Sequence, residues 1–146
     1  MTISDSEVKE AIPLLEQVPI FSSLKRAQLM KLAKSSVIRS FDQGETITKQ
    51  GDQGVAFYLV LEGLVEVKRS NRSLAKFGRG QFFGELSVMD DHPRTADVIA
   101  IEKSKCFLLS SWIFHGSVKS NPDIALAMLK EMARRLRETD ESLGDL

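Results

Sequence analysis

Val55-Ala56-Phe57-Tyr58-Leu59-Val60-Leu61-Glu62-Gly63-Leu64-Val65-Glu66-Val67-Lys68 occupies the middle of the chain and sets its architecture. The first seven residues are the longest unbroken apolar run in the sequence. A run of that length is far too short to cross a bilayer. Rich in β-branched and aromatic residues, it reads as a strand, Val55 to Leu61, with a glycine turn at Gly63 after it. Beyond the glycine, Leu64, Glu66 and Lys68 alternate with Val65 and Val67, a period-two pattern that predicts a second strand. Ser70-Asn71 then supplies a hairpin turn into a third, Ser73 to Phe77.

The same pattern extends on both sides. Seven of the nine glycines lie between Gly44 and Gly84, and no proline occurs between Ile20 and His92. Short strands separated by glycine turns fit that distribution, because proline would interrupt a hydrogen-bonded ladder. Further strands are expected at Val37 to Phe41, Thr46 to Lys49, Arg94 to Ile101 and Lys105 to Leu109. Several short strands at close spacing predict a sandwich or jelly roll.

The two ends read as helices. Ser6 to Gln17 and Leu24 to Lys34 carry apolar residues at helical spacing, with Pro19 between them. Near the C-terminus, Asn121 is the expected N-cap, followed by Pro122 and Asp123. Ala125, Leu129, Met132, Leu136, Thr139 and Leu143 then recur at alternating steps of four and three, a heptad-like seam. That seam serves either packing on the barrel, expected near Ala125 and Leu129, or a two-chain coiled coil, expected near Leu136 and Leu143. The fold class is therefore mainly β with flanking helices: a jelly roll, or double-stranded β-helix, with N-terminal helices and a long C-terminal helix.

Composition narrows the function. The 146 residues suit one domain, 1–146, with its core at about 15–140. Twenty basic and twenty acidic residues give zero net charge, which argues against a nucleic-acid partner. No membrane partner is expected, and Met1 to Lys9 lacks the pattern of a secretory signal. Cys106 is the single cysteine, so neither an internal disulfide nor a cysteine zinc site can form, and the cytoplasm is the expected compartment. His92 and His115 are the only histidines and stand far apart, so a jelly-roll enzyme built on a histidine-bound metal is disfavoured. No metal and no enzymatic activity are expected.

The chemistry concentrates in Phe82-Phe83-Gly84-Glu85-Leu86-Ser87-Val88-Met89-Asp90-Asp91-His92-Pro93-Arg94-Thr95-Ala96-Asp97-Val98. Gly84 precedes a short segment, Glu85 to Met89, that reads as a turn of helix presenting backbone N–H groups to an anion. Arg94 is the only full positive charge in the segment. One arginine with several N–H groups suits a phosphate of single charge. Glu85 is a poor phosphate neighbour but a good acceptor for a sugar hydroxyl. Together they describe a nucleotide with one phosphodiester.

This segment resembles the phosphate-binding cassette of the cyclic nucleotide-binding domain family, which includes catabolite activator effector domains and protein kinase A regulatory subunits. Gly84-Glu85 and Pro93-Arg94-Thr95-Ala96 match the family pattern, with Glu85 and Arg94 nine positions apart as in its eukaryotic and channel-type members. Phe41-Asp42-Gln43-Gly44-Glu45, Gln50-Gly51-Asp52 and the stretch from Phe57 to Gly63 are similar to its glycine-punctuated strand pairs. Val18 to Leu24 resembles its helical entry, and Asn121-Pro122 with Ala133-Arg134-Arg135-Leu136 its C-terminal helix. The resemblance implies that Glu85 contacts the ribose and Arg94 the phosphate. It also implies that the backbone of Gly84, Leu86, Ser87 and Ala96 lines the phosphate. Val67 and Leu74 are expected beside the base, and Thr95 either reaches a guanine amino group or serves only its strand. Asp97 departs from the usual Thr or Ser and is expected to face away.

The implied activity is a sensor of cyclic AMP, or alternatively cyclic GMP, reporting through its C-terminal helix. A homodimer through that helix and a separate downstream protein are the expected partners. The alternatives are the effector domain of a transcription regulator without its helix-turn-helix, and a ligand-free jelly-roll interaction module.

Overall fold

The computed structural model describes residues 3–18, 21–22, 24–53, 56–84 and 93–142. Two helices open the fold, α1 (Asp5–Gln17) and α2 (Arg26–Lys34). Ser4 starts α1 with a capping box: its hydroxyl accepts from the Glu7 N–H at 3.2 Å, and the Glu7 carboxylate accepts from the Ser4 N–H at 3.1 Å. Among the described residues eight strands follow: β1 (Val37–Phe41), β2 (Thr46–Thr48), β3 (Ala56–Glu62), β4 (Leu64–Arg69), β5 (Arg72–Gly78), β6 (Phe82–Phe83), β7 (Asp97–Ala100) and β8 (Ser104–Ser110). Two more helices close it, α3 (Ser111–Ser120) and α4 (Asp123–Ser142).

The strands form two four-stranded antiparallel sheets, ordered β1-β8-β3-β6 and β2-β7-β4-β5. Glycine at position 63 is what lets β3 cross from one sheet into β4 of the other. Its φ is +95°, and a Cβ there would stand 2.6 Å from the Lys103 carbonyl oxygen. At Ser70 and Asn71 both φ values are positive, so the hairpin turn joining β4 and β5 is of the kind that follows strand twist.

The seven-residue apolar run is explained by burial on both faces. Phe57, Leu59 and Leu61 enter a core shared with the helices, while Tyr58 and Val60 enter a second core between the sheets. Strand β8 divides the same way, with Phe107 and Leu109 on the helical side and Cys106 and Leu108 between the sheets. Cys106 is fully buried, which pushes its thiol pKa up to about 12 and makes it unreactive.

Several expectations are corrected. The strand expected from Arg94 begins only at Asp97. The Arg94 N–H donates to the Asp52 carbonyl at 2.8 Å and its carbonyl accepts from the Gly51 N–H at 2.9 Å, so its backbone serves the β2–β3 turn instead of a ladder. Strand β6 and helix α3 had no clear signal in the sequence. Asn121 caps the end of α3, and its side-chain oxygen accepts from Gln28 Nε2 at 2.7 Å, bridging to α2. On α4, the residues the barrel buries are Ile124 and Met128, whereas Leu129 is 65% exposed. The apolar stripe of the helix is thus one position away from the expected seam. Val55, Pro19 and Leu143 lie outside the described residues.

Candidate functional site

A cavity of about 190 Å³ opens on the inner face of the second sheet. Its floor is one cross-strand row. Thr48 on β2 pairs with Val98 on β7, Val98 with Val67 on β4, and Val67 with Ala75 on β5. All four residues line the cavity. Strand alternation puts such a row on one face of the pleat. Phe83 from β6 lies over it, stacked on Tyr58 at 4.8 Å between centroids and on Phe77 at 6.1 Å.

Gly84, Arg94, Thr95 and Ala96 complete the lining at one end. Arg94 is 8% exposed, which makes its charge the notable one. One guanidinium nitrogen donates to the Gly84 carbonyl at 3.1 Å and the other to the Ala56 carbonyl at 2.6 Å. The guanidinium carbon lies 5.8 Å from the centre of the Tyr58 ring. The two carbonyl acceptors fix the orientation of the guanidinium at this end of the cavity, where its planar fork matches the geometry of a phosphate. Burial raises the Tyr58 hydroxyl pKa above its usual range, and the positive charge of Arg94 opposes that rise.

Gly84 makes this arrangement sterically feasible. Its φ is +88°, and a Cβ on it would stand 2.7 Å from Arg94 Nη1. Asp97 is turned to the β2–β3 turn, where its carboxylate accepts from the Gln50 N–H at 2.7 Å. The negative charge expected to face away from the cavity is therefore engaged elsewhere.

Of the residues singled out from the sequence, the fold brings together Gly84, Arg94, Thr95, Ala96 and Val67. Leu74 does not join them. The register slips between Val67 and Lys68, whose partners are Ala75 and Ser73, so Leu74 is the extra residue of a β-bulge and is 46% exposed. Glu85, Leu86 and Ser87 lie outside the described residues. Sequence reasoning missed Thr48, Ala75, Phe77, Phe83 and Val98. Cross-strand pairing outward from Val67 would have found three of them, but that register is not readable from one sequence. Among the described residues, Thr48 Oγ1 is the one buried side-chain polar atom without a hydrogen-bond partner.

An apolar floor with a buried cation at one end suits a ligand that is flat and apolar at one side and anionic at the other. The sequence profile of the Cyclic nucleotide-binding domain matches residues 38–121, more than half the chain, from within β1 to the end of α3. The chain belongs to the cyclic nucleotide-binding domain family. Members of this family are regulatory domains, and three likenesses place this one among them. It is 33% identical over 130 residues to the Cyclic AMP receptor protein of Thermus thermophilus, covering 86% of this chain and 60% of that protein. It is 38% identical over 91 residues to the cAMP-dependent protein kinase type II regulatory subunit of Drosophila melanogaster, covering 60% of this chain and 24% of that one. The sensor domain of the transcriptional regulator DNR from Pseudomonas aeruginosa superposes with a TM-score of 0.81 at 26% identity, covering 92% of this chain and 93% of that domain. This cyclic nucleotide-binding domain therefore spans about three fifths of the bacterial receptor and about a quarter of the fly subunit.

Proposed function

We propose that the cavity binds a cyclic nucleotide, cyclic AMP first and cyclic GMP as the alternative, and that the chain is a binding module and not an enzyme. The observation that carries this reading is the buried Arg94 at the end of the Thr48–Val98–Val67–Ala75 row. In it the cyclic phosphate sits at Arg94 beside the backbone of Gly84 and Ala96, and the base lies along the row. Family resemblance adds Glu85 at the ribose and the Leu86 and Ser87 backbone at the phosphate. Calorimetric titration with each nucleotide tests the proposal, supported by native mass spectrometry for a copurified ligand. No heat and no copurified nucleotide would return the chain to a ligand-free interaction module.

Thr95 lines the cavity with an exposed side chain. Thr95→Ala is expected to alter the ratio of cyclic GMP to cyclic AMP affinity roughly fivefold, the worth of about 1 kcal/mol for one hydroxyl contact. Equal losses for both nucleotides would assign Thr95 to packing or to the phosphate.

Output runs through α4 in this reading. Leu129 and Leu136 are 65% and 64% exposed, one heptad apart, and a homodimer would cover them. Burying a leucine contributes about 1.5–3 kcal/mol. Leu136→Asp is therefore expected to weaken self-association at least about tenfold while nucleotide still binds. Sedimentation with and without cyclic AMP measures this, and a wild-type monomer in both would remove the dimer. A second reading, the effector domain of a transcription regulator, is favoured by the near-complete overlap with the DNR sensor domain. The cytoplasm is the proposed compartment, consistent with a single, buried cysteine.

A further inference from the structure

A second concavity, about 420 Å³, runs between α2 and α3 on the opposite side of the first sheet from the nucleotide cavity. Its floor is apolar, with Leu24 and Leu32 from the α2 side and Ile113 from α3. Trp112 stands on its edge, 73% exposed, the most exposed large hydrophobic side chain among the described residues. An aromatic anchor beside an aliphatic trough is what interface hot spots are made of.

The charged residues that line it are basic. Lys31 lines this groove, and Lys31 and Lys34 line the shallower depression that continues it across α2. Residues 18–41 contain five Lys or Arg and no Asp or Glu, and residues 111–122 contain Lys119 and no acid. In a chain of zero net charge this is a local basic surplus. A second copy's α4 is not the occupant inferred here: its exposed Leu129 and Leu136 belong to the homodimer of the reading above, and its polar face is of mixed sign, with Lys130 and Arg137 beside an Arg134–Glu138 ion pair.

We infer that the α2–α3 groove is a docking site for an acidic amphipathic helix of a separate protein, and that its affinity is coupled to the nucleotide cavity. The occupant lays leucine-type side chains into the trough against Trp112 and sets its carboxylates over Lys31 and Lys34. The coupling half rests on the nucleotide reading above. Its route is short. Arg94 donates to the Ala56 carbonyl, Ala56 pairs with Ser110, and Ser110 is the N-cap of α3, two residues before Trp112. An anion that draws the Arg94 guanidinium therefore acts on the strand pair from which the groove wall starts.

Trp112 is the only tryptophan, so its emission reports the groove directly. The probe is a synthetic 18-residue amphipathic helix with leucine on one face and glutamate on the other, titrated into the intact protein with and without cyclic AMP. A saturable blue shift is expected with this peptide and not with a matched leucine–lysine peptide. Lys31→Glu with Lys34→Glu is expected to weaken it at least tenfold, with an unchanged melting curve for the free protein. Cyclic AMP and the peptide are expected to change each other's affinity by the same factor, threefold or more. No shift, or an equal shift with the lysine peptide, overturns the docking site. A shift only with phosphatidylglycerol vesicles overturns the protein partner in favour of a lipid surface. If nucleotide binds but leaves the peptide midpoint unmoved, the coupling is wrong. If calorimetry finds no nucleotide binding at all, the nucleotide reading has failed and the peptide titration still decides the groove.

Discussion

Arg94→Ala should cut cyclic nucleotide affinity between about thirtyfold and several thousandfold, the equivalent of about 2–5 kcal/mol for losing one partner of a buried charged contact. The substitution removes the cation and also the donors that the Gly84 and Ala56 carbonyls now receive. Water entering the vacated space can satisfy both carbonyls, so the fold should persist with a lowered melting temperature. Arg94→Lys separates the two effects. It keeps the charge but has no planar fork to reach two carbonyls and a phosphate together, so its affinity should fall between wild type and alanine. Calorimetry on all three proteins, with thermal melts alongside, measures this. Full affinity in the alanine variant would remove the phosphate from Arg94.

The second large effect is on stability. Gly63→Ala places a methyl group 2.6 Å from the Lys103 carbonyl oxygen and 2.7 Å from Ser104 Cα, at a φ of +95°. Backbone must move on both sides of that contact. Ser104 is 1% exposed, donates to the Glu102 carbonyl at 2.8 Å and accepts from the Leu64 N–H at 3.2 Å, so it has no room to retreat. Left-handed strain and overpacking together cost about 2–5 kcal/mol. For a domain of this size that lowers the melting temperature by about 5–20 °C. Nucleotide affinity of the folded fraction should barely change, since Gly63 lies outside the cavity lining. An unchanged melt would mean that the β3–β4 crossing is looser than its geometry.

Most of the β-region was legible because its signals are local. Strand β1 has the expected bounds, and β4, β5 and β8 extend one residue beyond theirs at one or both ends. What was illegible depends on contacts distant in sequence. Phe82-Phe83 is too short for a period, and its two rings go to different cores, Phe82 with the helices and Phe83 between the sheets. Helix α3 has Gly116 in its middle and β-branched Ile113 and Val118, all weak helix formers. It is held by Phe114, fully buried against Phe21 and Phe57 at 6.4 and 5.8 Å. The α4 stripe was misplaced by one position because the helix has two adjacent apolar faces, and sequence alone does not say which meets the barrel. At the candidate site, a motif singled out Gly84, Arg94, Thr95 and Ala96, and the fold places them together on one cavity. The row opposite them depends on register, and Leu74 was misread because a bulge shifts the pleat.

The strand orders carry a consequence for how the chain is made. Among the described strands β8 is the last to leave the ribosome, yet it lies inside its sheet and is the ladder partner of β1. In the other sheet, β7 is likewise late and central, holding β2 beside β4. Pairings this distant in sequence form slowly and reward the chain only once both partners exist. A nascent chain that has reached residue 100 has the β4–β5 hairpin but no closed barrel, with the edges of β1 and β3 open to other strands. Synthesis must run through Ser110 before the first sheet can close. Until then the uncovered strand edges remain open to pairing with other chains.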